Sequence, residues 1–319
     1  VSSESSSSSA NLATPAPVAG KSRAVGIALA LVGAVAFSGK AIIVKLAYRH
    51  GVDAVTLIMY RMLFALPIFV LMAWWTSRGK PPLAARDWWG VIGLGVSGYY
   101  LASFLDFAGL AYISAGLERL ILYLNPTLVV LLGWLLYRKG ISRGQMWGML
   151  ISYCGVALVF GIEAFGTKGA SGEIAWGVLL VFLSAVSYAI YLVYSGQLVQ
   201  RLGALRLVGL ATSVACVCCI VQFLVLRPLS AAVVAPEVLW LSVLNATLCT
   251  AAPVLMVMMA IERIGAGMTA QTGMVGPLST ILMGAWILGE PFTPWMAGGT
   301  VLVMLGIFVF TRMAPKPGR

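Results

Sequence analysis

The 319-residue sequence predicts an all-α, polytopic membrane protein with ten transmembrane helices arranged as two inverted five-helix repeats. Three observations predict it. The chain is 61% hydrophobic and 10% charged, with a mean hydropathy of +0.97. A soluble domain carries about 25% charged residues, so no water-soluble fold can hide this much apolar surface. The sequence also repeats itself at an offset of 151 positions: Pro126 falls opposite Pro277, Ile113 opposite Ile264, Ala115 opposite Ala266 and Gly116 opposite Gly267. Gly133, Gly148 and Gly155 likewise fall opposite Gly284, Gly299 and Gly306. The weight lies on Gly and Pro, which carry backbone geometry rather than hydrophobicity. Third, the apolar runs number ten. Five in each half is odd, so the second copy runs through the bilayer in the opposite sense.

The elements follow in order. Residues 1–23 hold the run Ser5 to Ser9 and the segment Thr14-Pro15-Ala16-Pro17, with no apolar periodicity, and are expected to form a disordered cytoplasmic tail. The apolar run after Arg23 is too long for a signal peptide and lacks a cleavage site, so it is expected to be a retained first span. A helix needs about 20 residues to cross the hydrocarbon. The predicted spans are 24–47, 53–76, 87–111, 115–137, 143–162, 174–199, 205–226, 237–261, 266–288 and 294–312. Turn chemistry separates them at Arg78-Gly79-Lys80-Pro81-Pro82, Arg138-Lys139-Gly140, Gly166 to Gly172 and Gly289-Glu290-Pro291. The first repeat is expected over 24–162, the second over 172–312, and a cytoplasmic C-terminal tail over 313–319. No connection is long enough for a soluble domain.

The formal charge of +11 does not cluster as a nucleic-acid surface would. It lies in the connections, where it sets orientation. With the N-terminus in the cytoplasm, the inner segments hold fourteen of the 21 basic residues, among them Lys21, Arg23, Arg78, Arg138, Arg143, Arg206 and Arg312. The outer segments hold three: Arg49, Lys168 and Arg227. Both termini are therefore expected inside. Small residues four apart, as in Gly144, Gly148 and Ser152, are expected at close helix contacts.

Polar residues persist within the spans despite an insertion cost of at least about 2.5–3.5 kcal/mol for a central charge. Tyr99, Ser103 and Asp106 share one face of a regular helix through i, i+4, i+7 spacing. Asp106 there either faces a cavity or pairs with a base near the outer end. Glu118 shares a face of the fourth span with Asn125. It either receives a ligand ammonium or a coupling proton, forms an ion pair with Arg61 or Lys40, or snorkels to the nearby outer surface. Lys40, in Ser38-Gly39-Lys40, suits a carboxylate. Lys45 is expected to snorkel, Arg61 either to anchor Asp106 or Glu118 or to contact a ligand, and Arg119 to pair. Tyr188, Tyr191 and Tyr194 recur at steps of three beside Ser184 and Ser187, as a ligand-stacking stripe or as packing. Asn245, Gln271 and Thr272 complete the polar core. The tryptophans at span ends, such as Trp74, Trp75, Trp88, Trp89 and Trp295, read as an interfacial belt.

Cys154, Cys216, Cys218, Cys219 and Cys249 all fall within apolar runs and read as small lipophilic packing, although Cys216-Val217-Cys218-Cys219 has the thiols for a soft metal. No catalytic motif is present: His50 is the only histidine, and there is no H-E-x-x-H, G-x-S-x-G or Walker loop. The chain is therefore not expected to be an enzyme, and no metal or cofactor is expected.

Lys45 closing the first span, Arg61 in the second, Asn125-Pro126-Thr127 in the fourth, and Gly289-Glu290 followed by Thr293 and Gly298-Gly299 resemble the drug/metabolite transporter superfamily. The match is to its ten-span branch of two EamA-type repeats and covers nearly all of 24–312. The first half departs from it, with Arg138-Lys139 where the pattern has Gly-Glu. Within the superfamily the chain is most similar to the YddG-type exporters of aromatic amino acids. The resemblance implies a bacterial inner-membrane exporter of aromatic and other neutral amino acids that works by alternating access around a central cavity. A zwitterion needs an acid, a base and, for an aromatic side chain, apolar walls. Glu118, Lys40 and the tyrosines supply these, and the expected binding set is Lys40, Tyr99, Ser103, Asp106, Glu118, Tyr188, Tyr191, Asn245 and Gln271. The expected partners are a small-molecule substrate and the lipid bilayer, without nucleic acid. No oligomer is specified, and a monomer is compatible with the sequence.

Overall fold

The computed structural model describes residues 20–138, 140–166 and 171–313, with side chains left undescribed at 20–22, 166, 171, 197, 265–267 and 270–271. The expected tails at 1–19 and 314–319, and most of the 166–172 connection, lie outside the described residues. Those described are almost entirely helical. In chain order, α1 is Gly20–Tyr48, α2 is Ala54–Ser77, and α3 is Ala85–Leu94 continued by a π-helical Gly95–Leu101 and by Ala102–Leu110. α4 is Ala115–Leu122 and, after a turn, Asn125–Tyr137; α5 is Arg143–Gly166. The second half follows with α6 at Ser171–Leu202 and α7 at Ala204–Leu226. α8 is Pro236–Ala246, a π-helical Thr247–Ala251 and Ala252–Gly273. α9 is Gly276–Met283 with a π-helical Gly284–Leu288, and α10 is Pro294–Arg312.

The 151-residue offset governs where elements begin. Gly20 and Ser171 open α1 and α6, Ala85 and Pro236 open α3 and α8, Asn125 and Gly276 restart α4 and α9, and Arg143 and Pro294 open α5 and α10. The irregularities repeat too. The π-helical stretch of α3 finds its counterpart in α8 at the same offset. The residues closing the fourth helix of each half, Arg138 (φ 52°) and Gly289 (φ 72°), both adopt left-handed backbone. Pro126 and Pro277 each sit in the first turn after the helix break, where a missing N–H costs nothing.

The repeats are inverted in space. Gly209, early in α7, lies against Ala73, late in α2, and Cys216 Sγ is 3.7 Å from Met62 Sδ. Gly148 of α5 faces Phe310 of α10, whereas Gly155 faces Gly299. Equivalent helices therefore run antiparallel to each other. The halves also exchange partners: α1 packs its Gly26, Gly33 and Gly39 on Ile264, Met256 and Cys249 of α8, while α6 packs Tyr191 and Val181 on Gly98 and Gly109 of α3.

Among the described residues, nine helices are long and apolar enough to cross a membrane, with Gly276–Leu288 as a shorter apolar helix. One boundary corrects the sequence reading. The eighth span was expected to end at residue 261, but helix continues to Gly273 and turns at Met274–Val275. In the first half Ser114 accepts a hydrogen bond from Leu117 N (3.0 Å) and starts a new helix. Its counterpart 151 residues later is Gly265, which has no side chain to cap with, so the helix runs on. The ninth crossing reaches full length only together with 266–273.

At the end of the molecule opposite the one rich in basic residues, Asp53 caps α2. Its carboxylate accepts hydrogen bonds from Val55 N (2.9 Å), Thr56 Oγ1 (2.6 Å) and Arg227 Nε (3.1 Å). Burial works to raise its pKa, but the hydrogen bonds from Thr56 and Arg227 outweigh burial and hold it below its usual value. That contribution to stability is full above the unfolded carboxylate's pKa and is lost as pH falls through the folded one. Asp53→Ala is expected to lower stability by about 1 kcal/mol at neutral pH, the usual value of an N-cap. Thermal unfolding across pH should show the gap to the parent closing on acidification.

Candidate functional site

The charged residues of the interior converge where α1, α3 and α4 meet. Lys40 Nζ lies 2.5 Å from Asp106 Oδ2 and 3.3 Å from Glu118 Oε1. All three side chains are buried; the side chain of Glu118 is 0% exposed. Asn245 Nδ2 donates to the Lys40 carbonyl at 3.4 Å, tying α8 to the same place. The structure pairs both Asp106 and Glu118 with Lys40. The expected anchoring by Arg61 is corrected: its guanidinium donates to Thr250 Oγ1 (3.1–3.2 Å) and sits 5.0 Å over the Phe107 ring. Arg119 donates to Ser38 Oγ and Thr280 Oγ1, both at 3.0 Å, and stacks on Phe37. Both arginines are buried and spend their hydrogen bonds on neutral hydroxyls.

The helix breaks explain how these groups are held. Leaving the helical ladder at 123–124 and 274–275 frees carbonyls that must find donors. Tyr123 OH donates to the Gly273 carbonyl at 2.5 Å and Ser38 Oγ to the Gly276 carbonyl at 2.9 Å. The broken helices of the two halves therefore face each other, with Arg119 and Ser38 between them. The break also removes the expected shared face of Glu118 and Asn125. Asn125 starts the second segment and turns its amide back on the Leu122 carbonyl at 2.7 Å.

The tyrosines form a second, separate cluster. Tyr99 OH and Tyr191 OH are 3.2 Å apart, with their rings edge to face at 5.1 Å; Tyr188 stacks on Tyr191 at 5.5 Å. Ser187 and Ser184 donate to the carbonyls of Ser97 and Ala102, pinning α6 to the π-helical stretch of α3 and to the residue just after it. Tyr194 is exposed and does not continue the cluster. The expectation that Tyr99, Ser103 and Asp106 share one face fails for a definite reason. The π-helical residues Gly95–Leu101 close i→i+5 turns, which shift the helical phase between Tyr99 and Asp106. Tyr99 turns to α6 and Asp106 to α1, while Ser103 is half-buried between.

The two clusters occupy pseudo-symmetric places, since Lys40 and Tyr191 are themselves 151 positions apart. Lys40 is eight residues from the Tyr48 end of α1, and Tyr191 is eleven from the Leu202 end of α6. Because the helices run antiparallel, the charges lie in the half away from the basic end and the tyrosines in the half nearer it. The Gln271 side chain lies outside the described residues.

Two cavities open at the end nearer the charges. One of about 330 Å³ is lined by Lys45, Tyr48, Arg49, Leu110, Leu288 and Glu290. The other, about 520 Å³, is lined by Lys45, Ser114, Glu163, Glu173, Glu290 and Met296, among others. Lys45 lines both cavities beside Glu290. Glu290 Oε1 accepts from Ala115 N at 3.0 Å, and Glu163 accepts from both the backbone N–H (3.3 Å) and the hydroxyl of Ser114. Two carboxylates thus hold the positive end of α4. The sequence reading missed Ser114 and Glu163 here. Ser114 ahead of an apolar run was a cap signal; Glu163 carried none, because its partner lies 49 residues away.

The sequence profile of the EamA-like transporter family matches residues 24–161 and 175–312, one stretch in each half. The uncharacterized transporter YcbK of Bacillus subtilis (strain 168) is 31% identical over 278 residues, covering 84% of this chain and 86% of that protein. The uncharacterized transporter YetK of the same organism is 22% identical over 295 residues, 92% of this chain and 89% of the relative. A solved structure described only as a crystal structure of a protein superposes with a TM-score of 0.60 at 18% identity. It covers 92% of this chain and 98% of that one, a likeness of fold alone.

Proposed function

We propose a cargo and a direction from a premise already in hand: this chain belongs to the EamA-like transporter family. It is a multi-pass membrane protein, and its relatives are transporters rather than enzymes. The proposed activity is export of aromatic and other neutral amino acids across the bacterial inner membrane by alternating access. The observation that carries the cargo is the buried Lys40–Asp106–Glu118 cluster. It offers both signs of charge in a dry setting where the ends of a zwitterion gain most from being met. The carboxylates suit the ammonium, and Lys40 suits the carboxylate. The expected binding set divides into two stations. Tyr99, Tyr188 and Tyr191 receive the side chain nearer the basic end; Lys40, Asp106, Glu118 and Asn245 receive the charged ends further on, with Ser103 between. Beyond them lie the cavities at Lys45 and Glu290.

Orientation rests on the fourteen-to-three asymmetry of basic residues, which places both termini in the cytoplasm. Reporter fusions at Gly169 and after Arg319 should report opposite sides of the membrane. Same-side signals would overturn that orientation.

Counterflow of labelled amino acids in proteoliposomes tests the cargo, because a receptor cannot accumulate ligand by exchange. Phe, Tyr and Trp are expected to exchange faster than Leu or Met. An aromatic pair adds about 0.5–1.5 kcal/mol beyond burial, a preference of roughly two- to twelve-fold. Removing the rings at Tyr188 and Tyr191 together should flatten that preference more than it lowers total flux. An unchanged preference places the selective wall elsewhere, and no exchange of any amino acid sinks the amino acid reading.

A further inference from the structure

Arg61 is the buried cation that the amino acid reading leaves unused. Nε and Nη2 both donate to Thr250 Oγ1, and the guanidinium lies over the Phe107 ring. Nη1 is buried and has no hydrogen-bond acceptor; the residue as a whole is 5% exposed. A ring face and a hydroxyl stabilise a guanidinium but do not neutralise it. Buried charges are ordinarily answered by opposite ones.

The charges around it do not balance. In the half of the bundle away from the basic end, the buried charged side chains are Lys40, Arg61 and Arg119 against Asp106 and Glu118. Both carboxylates pair with Lys40, whereas neither arginine makes an ion pair among the described residues. One positive charge is left over even with both carboxylates ionised. Arg119 donates to Ser38 and Thr280, and of the two guanidinium groups only that of Arg61 keeps a buried nitrogen without an acceptor.

Asn245 joins this surplus charge to the acidic pair. Its Nδ2 donates to the Lys40 carbonyl, and its own carbonyl accepts at 2.8 Å from the Thr250 hydroxyl that holds Arg61. Asn245 Oδ1 and Asp106 Oδ1 are buried acceptors without a donor. A charged donor lacking an acceptor and two acceptors lacking a donor thus sit on linked residues, the complement of a carboxylate and an ammonium. The smaller cavity comes close to them. Its lining residue Tyr48 donates to the carbonyl of Phe107, whose ring underlies Arg61.

We propose that Arg61, beside Lys40, receives the ligand's carboxylate, and that this carboxylate is the one polar group the site demands. The proposal rests on the export reading above and sets its ligand class: aromatic amino acids, and also aromatic monocarboxylates that have no amino group. The two ends of the ligand are not equivalent. Without an ammonium, Asp106 and Glu118 still have Lys40; without a carboxylate, Arg61 has no counter-charge. A site whose buried polar group only the ligand can meet rejects the analogue that lacks the partner.

Calorimetric titration of the purified parent with phenylalanine, phenylpropionate and phenethylamine tests this. Phenylpropionate keeps the acid and lacks the amine, and phenethylamine is the reverse. Phenylpropionate is expected to bind at least about ten-fold more tightly than phenethylamine, the low end of what a hydrogen bond to a charged group contributes. Arg61→Gln, which keeps an amide donor for Thr250, should weaken phenylpropionate by about ten-fold or more. It should unfold no lower than the parent, because the charge it removes had no counter-charge. Arg61→Lys should restore part of the binding. An Arg61→Gln variant that loses its fold as Lys40→Met does would make Arg61 structural and overturn the proposal. The three titrations of the parent need no variant: phenethylamine bound as tightly as phenylpropionate overturns the proposal even if phenylalanine binds. Phenylpropionate bound without phenylalanine sinks the amino acid cargo and leaves the carboxylate site standing. Binding of none of the three overturns both.

Discussion

Lys40→Met is expected to destabilise the protein by about 3–5 kcal/mol and to abolish transport. The cost is not that of a lost attraction alone. Removing the ammonium strands Asp106 and Glu118, both buried, with no compensating charge in contact, and breaking a buried pair from one side costs about that much. A low dielectric raises the penalty, and the nearest cations, Arg61 and Arg119, are held by hydroxyls on other helices. The same logic makes a sharper expectation. The triple variant Lys40→Met, Asp106→Asn, Glu118→Gln removes all the charge at once, so it should recover most of the stability and none of the transport. Thermal unfolding in detergent, read beside counterflow, separates the two. A single Lys40→Met variant that unfolds at the parent's temperature would mean that the cluster is not a paired unit.

Gly148→Leu is expected to have the second largest effect, through shape instead of charge. A Cβ at Gly148 would lie 2.5 Å from Phe310 N and 2.7 Å from the Gly306 carbonyl oxygen. Both are backbone atoms, which cannot step aside by changing rotamer. Gly155 and Gly306 present the same close approach along the seam between α5 and α10. In a bilayer, where lipid tails are as apolar as leucine, such close packing is a main source of helix association. Overpacking a core commonly costs about 1–3 kcal/mol and at times more. Four added carbons against the backbone of α10 fall at the upper end. Gly133→Ala is the control, because a Cβ there meets nothing within 4 Å and should leave the unfolding temperature unchanged. Equal losses at the two positions would show that helix propensity, not the seam, sets the cost.

Much of this architecture was present in the sequence because its causes are local or periodic. An apolar run long enough to cross a bilayer can do little else than form a helix, since no water is there to satisfy a broken backbone. Gly and Pro recurring 151 positions apart placed the two halves in register, and the proline pair marked the restarts at Asn125 and Gly276. Clustering of Lys40, Asp106 and Glu118 was within reach for the same reason: few charges survive in such spans, and those that do must find each other. Which partner each takes was not legible. Arg61 and Lys40 are equally basic in sequence, and only the packing of α1 against α3 and α4 gave both carboxylates to Lys40 and left Arg61 to Thr250.

The sequence by itself determined the bilayer as solvent, the helical class, the doubled plan and the small set of polar residues that must face inward. The tertiary structure alone decided the phase of those residues. The π-helical stretches of α3 and α8 carry no compositional mark, because their i→i+5 turns are stabilised by what packs against them, yet they turn Tyr99 away from Asp106. The α3 stretch helps to divide one expected site into a tyrosine cluster and a charged cluster in opposite halves of the bundle. Local chemistry sets what each segment can be; contacts between helices distant in sequence decided that Lys40, not Arg61, takes Asp106 and Glu118.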